Sequence, residues 1–404
     1  MDQRPLSGIT VIDITTSYAG PYCSMLLADM GAEVIKVEKT RAGDDCRHWG
    51  PPFINGESAW FLSVNRNKKS VALDIFNPKG REVLYQLVEK ADVFLENIKP
   101  SSLDKSGLSY KDMQKINSKI IYCALSGFGL TGPYRDRPGY DLIAQATSGM
   151  MSVTGEMNGR PQRVGTAISD IVTGFIAAFC IASSLVKKEK TGKGEFIDTS
   201  LLDVDLALMA PRITSYLADG IEPKPSGGTD SVVAIYQAIR TADEDMIIAT
   251  GTDSIFKRFC QAVGLPQLAE EKRFQSNALR KENRFELLRL VEEQLIKYPI
   301  SYWLKKLNEY SVPCAPINSL GDVVKDPHVL ARNMIRTIQH PVAGDVKIVG
   351  VPWQLESSSN EVYLPPPLLG QHTAEILKEK LLMSDIEFSE LVDTGVVKGE
   401  EVRQ

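Results

Sequence analysis

The sequence predicts an α/β protein, a large domain built on a parallel sheet joined to a smaller α+β domain. Three observations carry this. Short apolar runs alternate with amphipathic stretches through the first half of the chain, the rhythm of strand–helix–strand units. A Pro/Gly-dense segment, Asp219–Gly228, breaks that rhythm past the midpoint. The length, 404 residues, exceeds what one hydrophobic core usually serves, so two domains are expected.

Ile9–Ile14 reads as a buried strand, Gly20-Pro21 opens a helix through Met30, and Glu33–Glu38 is a second strand. Val71–Asp74 is strand-like. Pro78 starts a helix through Lys90, with Val83, Leu84, Leu87 and Val88 at helical spacing. Val93–Leu95 and Ile120–Leu125 follow as strands, then helices near 141–151, 170–188 and 201–219, with a strand Phe196–Asp198 between the last two. Past the linker, Val232–Ile239 and Met246–Ala249 read as strands, and 253–263 and 283–308 as amphipathic helices. The tail from Pro365-Pro366-Pro367 carries two short helices that pack back on the first domain. The expected spans are 1–220, 221–335 and a returning segment 336–404.

Composition narrows the function. A net charge of −5, with no basic stripe interleaved with aromatics, argues against nucleic acid as a partner. No stretch reads as long enough to span a membrane; Ile168–Val186 comes closest, interrupted by Ser169, Asp170, Thr173, Ser183 and Ser184. Met1–Leu6 has no apolar leader run, so a cytoplasmic enzyme is the expectation. The six cysteines form no C-x-x-C pair, most lying in apolar runs, and read as reduced and buried. The four histidines are far apart, and no spacing suggests a metal site.

Asp170 is the most informative residue. It stands alone where Gly165–Gly174 turns into the apolar run Phe175–Ala182. A carboxylate there is a cap for free backbone N–H groups, or a nucleophile in a small-residue pocket. Local sequence leaves both open. A nicotinamide site does not fit: the first turn reads Thr15-Thr16-Ser17-Tyr18-Ala19-Gly20-Pro21, without the glycines that admit a pyrophosphate, and Pro21 removes a donor. Asn65-Arg66-Asn67-Lys68-Lys69-Ser70 is either a solvated loop or a phosphate clamp, to which Lys99 and Lys105 could add charge. Gly127–Pro133 is a glycine-rich loop beyond a strand's carboxyl end, where ligands of open α/β sheets sit. Gly227-Gly228 is a hinge or a flap over a site.

In order, Ala19-Gly20-Pro21, Gly31–Glu38, Gly43-Asp44-Asp45, Trp49–Phe53, Asn65–Ser70, Glu96-Asn97, Ser126–Gly129, Gly139-Tyr140-Asp141, the Asp170 segment, Gly192-Lys193-Gly194 and Pro365–Thr373 resemble the class III CoA-transferase family. The resemblance implies a Rossmann-like large domain completed by the C-terminal segment, and two ring-shaped chains interlocked as a homodimer. It implies an enzyme that moves coenzyme A from an acyl-CoA to a free carboxylic acid, with CoA and acyl-CoA as substrates, no permanently bound cofactor and no metal. The family's nucleophile maps onto Asp170, which would carry first the acyl group and then CoA. Its CoA contacts map onto Thr16, Ser17, Lys39, Leu73, Asp74, Ile75, Asn97, Ile98, Lys105 and Tyr140. Ser17 stands where some oxalate/formate-type members carry glutamine.

Acyl-CoA racemases of the same superfamily carry a histidine base in a Gly-His-Asp segment. Here Tyr140 holds that position, and a phenol is a poor base near neutrality, which favours transfer over racemisation. The motif blocks are most similar to members that move CoA from succinyl-CoA to dicarboxylates such as glutarate. Arg47, Arg66, Arg135, Arg137 and Arg163 are candidates for a distal carboxylate, against a solvated surface role for each. A non-catalytic CoA or nucleotide binder, with Asp170 only a cap, is the alternative of a different class.

Overall fold

The computed structural model describes residues 4–359 and 361–398. The chain runs β1 (Thr10–Asp13), α1 (Ala19–Asp29), β2 (Glu33–Glu38), a hairpin of β3 (Phe53–Ile54) and β4 (Glu57–Ser58), α2 (Ala59–Val64) and β5 (Lys68–Ala72). It continues through α3 (Pro78–Glu89), β6 (Val93–Glu96), α4 (Pro100–Ser106), α5 (Tyr110–Ile116), β7 (Ile121–Ser126) and α6 (Asp141–Thr147). After the short α7 (Met150–Val153) come α8 (Ile168–Thr191), β8 (Glu195–Ser200), α9 (Leu201–Leu208) and α10 (Ala210–Asp219).

Six strands form one parallel sheet in the order β5-β2-β1-β6-β7-β8. Both faces are covered, so the central strands β1, β6 and β7 read as largely apolar runs rather than alternating ones. Ile12, Ile35, Val71, Phe94 and Tyr122 pack against Leu84, Leu87 and Val88 of α3 and Ile376 and Leu377 of the tail. Their neighbours Val11, Val34, Val93 and Cys123 pack on the other face against Cys23 and Leu27 of α1 and Ala177 and Ile181 of α8. The tail covers the β5 edge: the His372 N–H donates to the Ser70 carbonyl at 2.9 Å, and the Ala72 N–H to Thr373 Oγ1 at 3.1 Å. An edge covered in this way has no row of free backbone groups to offer a stray strand.

Two compact units emerge: Met1–Met150, Val164–Gly220 and His328–Gln404 in one, Met151–Arg163 and Ile221–Pro327 in the other. This division differs from the expected spans. Residues 151–163, read as part of the large domain, group with the second unit, where the Gly227 N–H donates to the Gly155 carbonyl at 2.9 Å. The second boundary lies at His328, ahead of 335. The second unit holds an antiparallel sheet, β9 (Tyr236–Arg240), β10 (Asp245–Ala249) and β11 (Cys314–Pro316). Phe256, Phe259, Val291 and Trp303 form its core.

Several elements depart from their sequence reading for local reasons. The helix expected over 201–219 is two, because Pro211 cannot continue the hydrogen-bond ladder and starts α10 instead. The one expected over 283–308 breaks at Pro299 into Arg284–Leu295 and Ile300–Glu309. The strand expected from Val232 starts only at Tyr236, because Asp230 Oδ1 accepts from the Val232 and Val233 N–H groups, both at 2.7 Å, and folds a turn there. Helix α8 has 24 residues and is long and apolar enough, by length and composition, to cross a bilayer. The shorter stretch read from sequence understated it. Ala177 and Ile181 are fully buried on its inner face.

Candidate active site

The strand order reverses between β1 and β6. Loops leaving their carboxyl ends diverge there and open a crevice, which is where open α/β sheets bind ligands. The crevice is a cavity of about 280 Å³. Its floor is Thr16, Ser17 and Tyr18 after β1 and Asn97, Ile98 and Lys99 after β6. Asn97 joins the two loops: its Oδ1 accepts from the Thr16 N–H at 3.1 Å, and its Nδ2 donates to the Thr16 carbonyl at 2.9 Å. Two bare glycines narrow one wall. A Cβ on Gly127 would stand 2.7 Å from Gly139 Cα, so the loop after β7 and the segment before α6 touch backbone to backbone.

Asp170 enters this cavity from the first turn of α8. Helices α1 and α8 cross at Gly174, where a Cβ would lie 2.8 Å from the Ala19 carbonyl oxygen. That close approach brings the N-terminus of α1, at Tyr18 and Ala19, and the Asp170 carboxylate to the same cavity. The question of cap or reagent has a structural answer on the cap side. Position Ala167 precedes the helix and has no capping side chain. Asp141 of α6 caps α8 instead, its Oδ1 accepting from the Ser169 N–H at 2.8 Å and the Asp170 N–H at 3.4 Å. Gln145 Nε2 donates to the other Asp141 oxygen at 2.6 Å. Ser169 Oγ donates to Asp205 Oδ2 at 2.8 Å.

Asp170 therefore sits among carboxylates rather than cations. Burial first, then Asp141 and Asp205, push its carboxyl up from 3.8 to about 7. Buried Asp205 is pushed up to about 6, chiefly by desolvation. The same forces act on Glu96 at the end of β6, raised to about 8 by burial while its Oε2 holds the Ile98 N–H at 2.6 Å. A carboxyl raised this far is a stronger base and nucleophile once ionised, which suits attack on a carbonyl.

Of the positions expected to contact CoA, Thr16, Ser17, Asn97, Ile98 and Tyr140 line the cavity with Asp170. Lys39 does not line it but pairs at 2.8 Å with the lining residue Asp45. Leu73, Asp74 and Ile75 lie outside it at the end of β5, where the Asp74 N–H donates to the Val396 carbonyl at 2.8 Å. Lys105 is exposed in the last turn of α4 and does not line it.

Neither reading of Asn65–Ser70 holds. Arg66 is buried in a bidentate pair with Asp29, at 3.0 and 2.6 Å. Lys68 is fully buried, donating to the Pro21 carbonyl at 2.7 Å and Asn65 Oδ1 at 2.8 Å. Lys69 pairs with Glu33 and Glu375. These cations are spent on the fold and are not free for a phosphate. The carboxylate candidates shrink for the same reason: Arg66 is taken by Asp29, and Arg47 by Glu38 at 2.7 Å. Arg135, paired with Asp104 at 2.7 Å, and Arg137 line the cavity. Arg163 lies in the second unit.

Tyr18, Trp49, Asp141 and Asp205 belong to the site's surroundings but were not among the expected site residues, although Trp49 and Asp141 lie in motif blocks of the resemblance. Within Gly139-Tyr140-Asp141 the acid, like the tyrosine, serves the site: Asp141 caps α8. Helix Leu201–Leu208 carries two acids, Asp203 exposed and Asp205 buried, and the acid on the apolar face was the available sign. Among the described residues no group of three or more His, Cys, Asp or Glu is placed to hold a metal ion.

Residues 6–373 match the model of CoA-transferase family III. The chain belongs to that family. Its fold also matches a CaiB/BaiF family protein from Brucella suis, with a TM-score of 0.82 and 38% identity over 94% of this chain and 100% of that one. Among curated proteins, human succinyl-CoA:glutarate CoA-transferase is 41% identical over 98% of this chain and 91% of its own. Succinate–glutarate CoA-transferase of Agrobacterium fabrum is 37% identical over 93% of this chain and 95% of its own. This family III CoA-transferase thus has its cavity and its carboxylate where the sheet order dictates, and the sequence resemblance is upheld across the full length of the fold.

Proposed function

We propose that this CoA-transferase moves CoA from succinyl-CoA, or another short acyl-CoA, to a free dicarboxylate such as glutarate, with Asp170 as the covalent carrier. The observation that carries the role of Asp170 is its placement: a carboxylate at the mouth of the α8 helix, inside the cavity, relieved of capping by Asp141. Relatives named for succinyl-CoA and glutarate support the substrate pair.

The Asp170 carboxylate attacks the thioester carbonyl, the C–S bond breaks, and a mixed anhydride and CoA thiolate form. The thiolate then attacks the aspartyl carbonyl of the anhydride, releasing the donor acid as its carboxylate and leaving an aspartyl-CoA thioester. The acceptor carboxylate attacks that thioester to give a second anhydride and thiolate. Attack of the thiolate on the acceptor's carbonyl yields the new acyl-CoA and restores Asp170. Each tetrahedral oxyanion needs nearby N–H donors, which the α1 start at Tyr18–Ala19 and the glycine backbone at Gly127 can supply. Arg137 and Lys99 line the cavity and suit the anionic parts of the substrates.

The same reading takes a second copy of the chain as partner, in the interlocked homodimer that the family resemblance implies. It is supported by exposed apolar side chains on α8, where Phe179 is 70% exposed alongside Phe175 and Ile176, and on α10, where Leu217 is 77% exposed; exposed apolar surface of this kind marks interaction sites.

Incubation with succinyl-CoA and a panel of acids, read by mass spectrometry, tests the reaction. CoA on a second acid is the expected product; deuterium entering the α-carbon without acid exchange would refute transfer. Hydroxylamine should cleave an adduct from the peptide that contains Asp170. An unmodified Asp170 peptide under turnover would remove its covalent role.

A further inference from the structure

Ser17, on the cavity floor, has φ +74°, a left-handed backbone that ordinary side chains rarely adopt. Such a conformation persists only where its surroundings impose it. The constraint comes from a buried charge pair outside the residues so far assigned. The Ser17 N–H donates to Asp44 Oδ1 at 2.9 Å. Asp44 is fully buried, and its other oxygen lies 2.8 Å from Lys36 Nζ, also fully buried. Lys36 in turn donates to the Thr15 carbonyl at 2.8 Å. The same Asp44 Oδ1 accepts the Cys46 N–H at 2.9 Å, and the Asp44 N–H donates to Glu38 Oε2 at 3.0 Å.

One carboxylate oxygen thus holds backbone from both walls of the cavity. On one side is the Thr15–Tyr18 loop, and on the other the turn that places Asp45 and Trp49. We propose that Asp44, with Lys36 as its buried counter-ion, is a positioning residue for CoA transfer: it sets the separation of the two walls and thereby which acyl group reaches Asp170. This rests on the transfer reaction proposed above. Misplacement of a wall by about 1 Å is enough to alter turnover by orders of magnitude. Lys36 closes the anchor from below, holding Asp44 Oδ2 at 2.8 Å while Oδ1 faces the two walls.

Two double variants separate anchoring from stability, because both remove the buried charges together. Lys36→Met/Asp44→Asn keeps an oxygen for the Ser17 and Cys46 N–H groups; Lys36→Met/Asp44→Leu removes it. Succinyl-CoA is supplied with glutarate and adipate competing in one reaction, so the product ratio does not depend on the folded fraction. The Asn variant should keep the native ratio, and the Leu variant should shift it by about threefold or more. Hydrogen exchange across residues 15–19 should accelerate only in the Leu variant. Equal ratios and equal exchange in both variants would overturn the proposal, as would rapid exchange of this segment in the native chain, a measurement that needs no variant. If the native protein transfers CoA to neither acid, the substrate reading fails, while the exchange arm still decides whether Asp44 anchors the floor.

Discussion

Replacing Asp170 by Asn should abolish turnover and, at the same time, stabilise the protein above neutral pH. The carboxyl is held up to about 7 in the folded chain against an ordinary 3.8, mainly by desolvation and then by Asp141 and Asp205. Folding therefore favours the protonated form, and ionisation opposes it. Below about pH 4 the group is neutral in both states and contributes no difference. Between 3.8 and about 7 the unfolded chain is ionised while the native one keeps its proton, so stability falls as pH rises; above about 7 the loss is complete. At 1.36 kcal/mol per unit the full shift is worth about 4 kcal/mol, and solvent at the partly exposed carboxylate reduces this to about 2–3 kcal/mol. Asn has nearly the same shape and no charge to desolvate. The variant should melt roughly 2–5 °C above the native protein at pH 8, with little difference at pH 4. Calorimetry at the two pH values, beside the succinyl-CoA exchange assay, checks both halves. A gain independent of pH, or a loss at pH 8, would refute the electrostatic account of Asp170.

Further expectations follow from the same geometry. Activity limited by Asp170 ionisation should rise with pH through a midpoint near 7, and Asp205→Asn should lower that midpoint by roughly one unit by removing a neighbouring like charge; a pH–rate series for both proteins measures it. Gly174→Ala should part α1 from α8 and lower kcat/KM by about tenfold or more, since its Cβ would press on the Ala19 carbonyl oxygen at 2.8 Å; unchanged kinetics would deny that this crossing sets the site. Arg66→Ala strands the buried Asp29 carboxylate and should cost about 3–5 kcal/mol, read as a fall in the denaturant midpoint rather than as a change in the KM for acyl-CoA.

Much of the first unit could be read directly. β7 covers most of the apolar run read at Ile120–Leu125, as Ile121–Ser126, because strands buried on both faces leave a near-continuous hydrophobic signature. The turn and linker at Gly220 were equally plain, since α10 ends there on a left-handed glycine at φ +70°. Helix breaks at Pro211 and Pro299 were legible in principle, but the amphipathic pattern on either side masked them. The errors of meaning were electrostatic. Lys68 and Arg66 look solvent-seeking in sequence, and only their partners, Asp13, Asn65 and Asp29, far along the chain or on another element, explain their burial.

The sequence by itself determined the parallel sheet, the linker, the family and the singular position of Asp170, because each of these is written in local periodicity or in the order of motifs. It could not determine what Asp170 does at the head of its helix. That depended on Asp141, 29 residues away, taking the Ser169 and Asp170 N–H groups, and on Gly174 letting α1 approach. Capping, burial and like-charge repulsion act through space between residues that the chain separates, so only the tertiary structure could show that Asp141 holds the N–H groups at the start of this helix and that the Asp170 carboxylate faces the cavity.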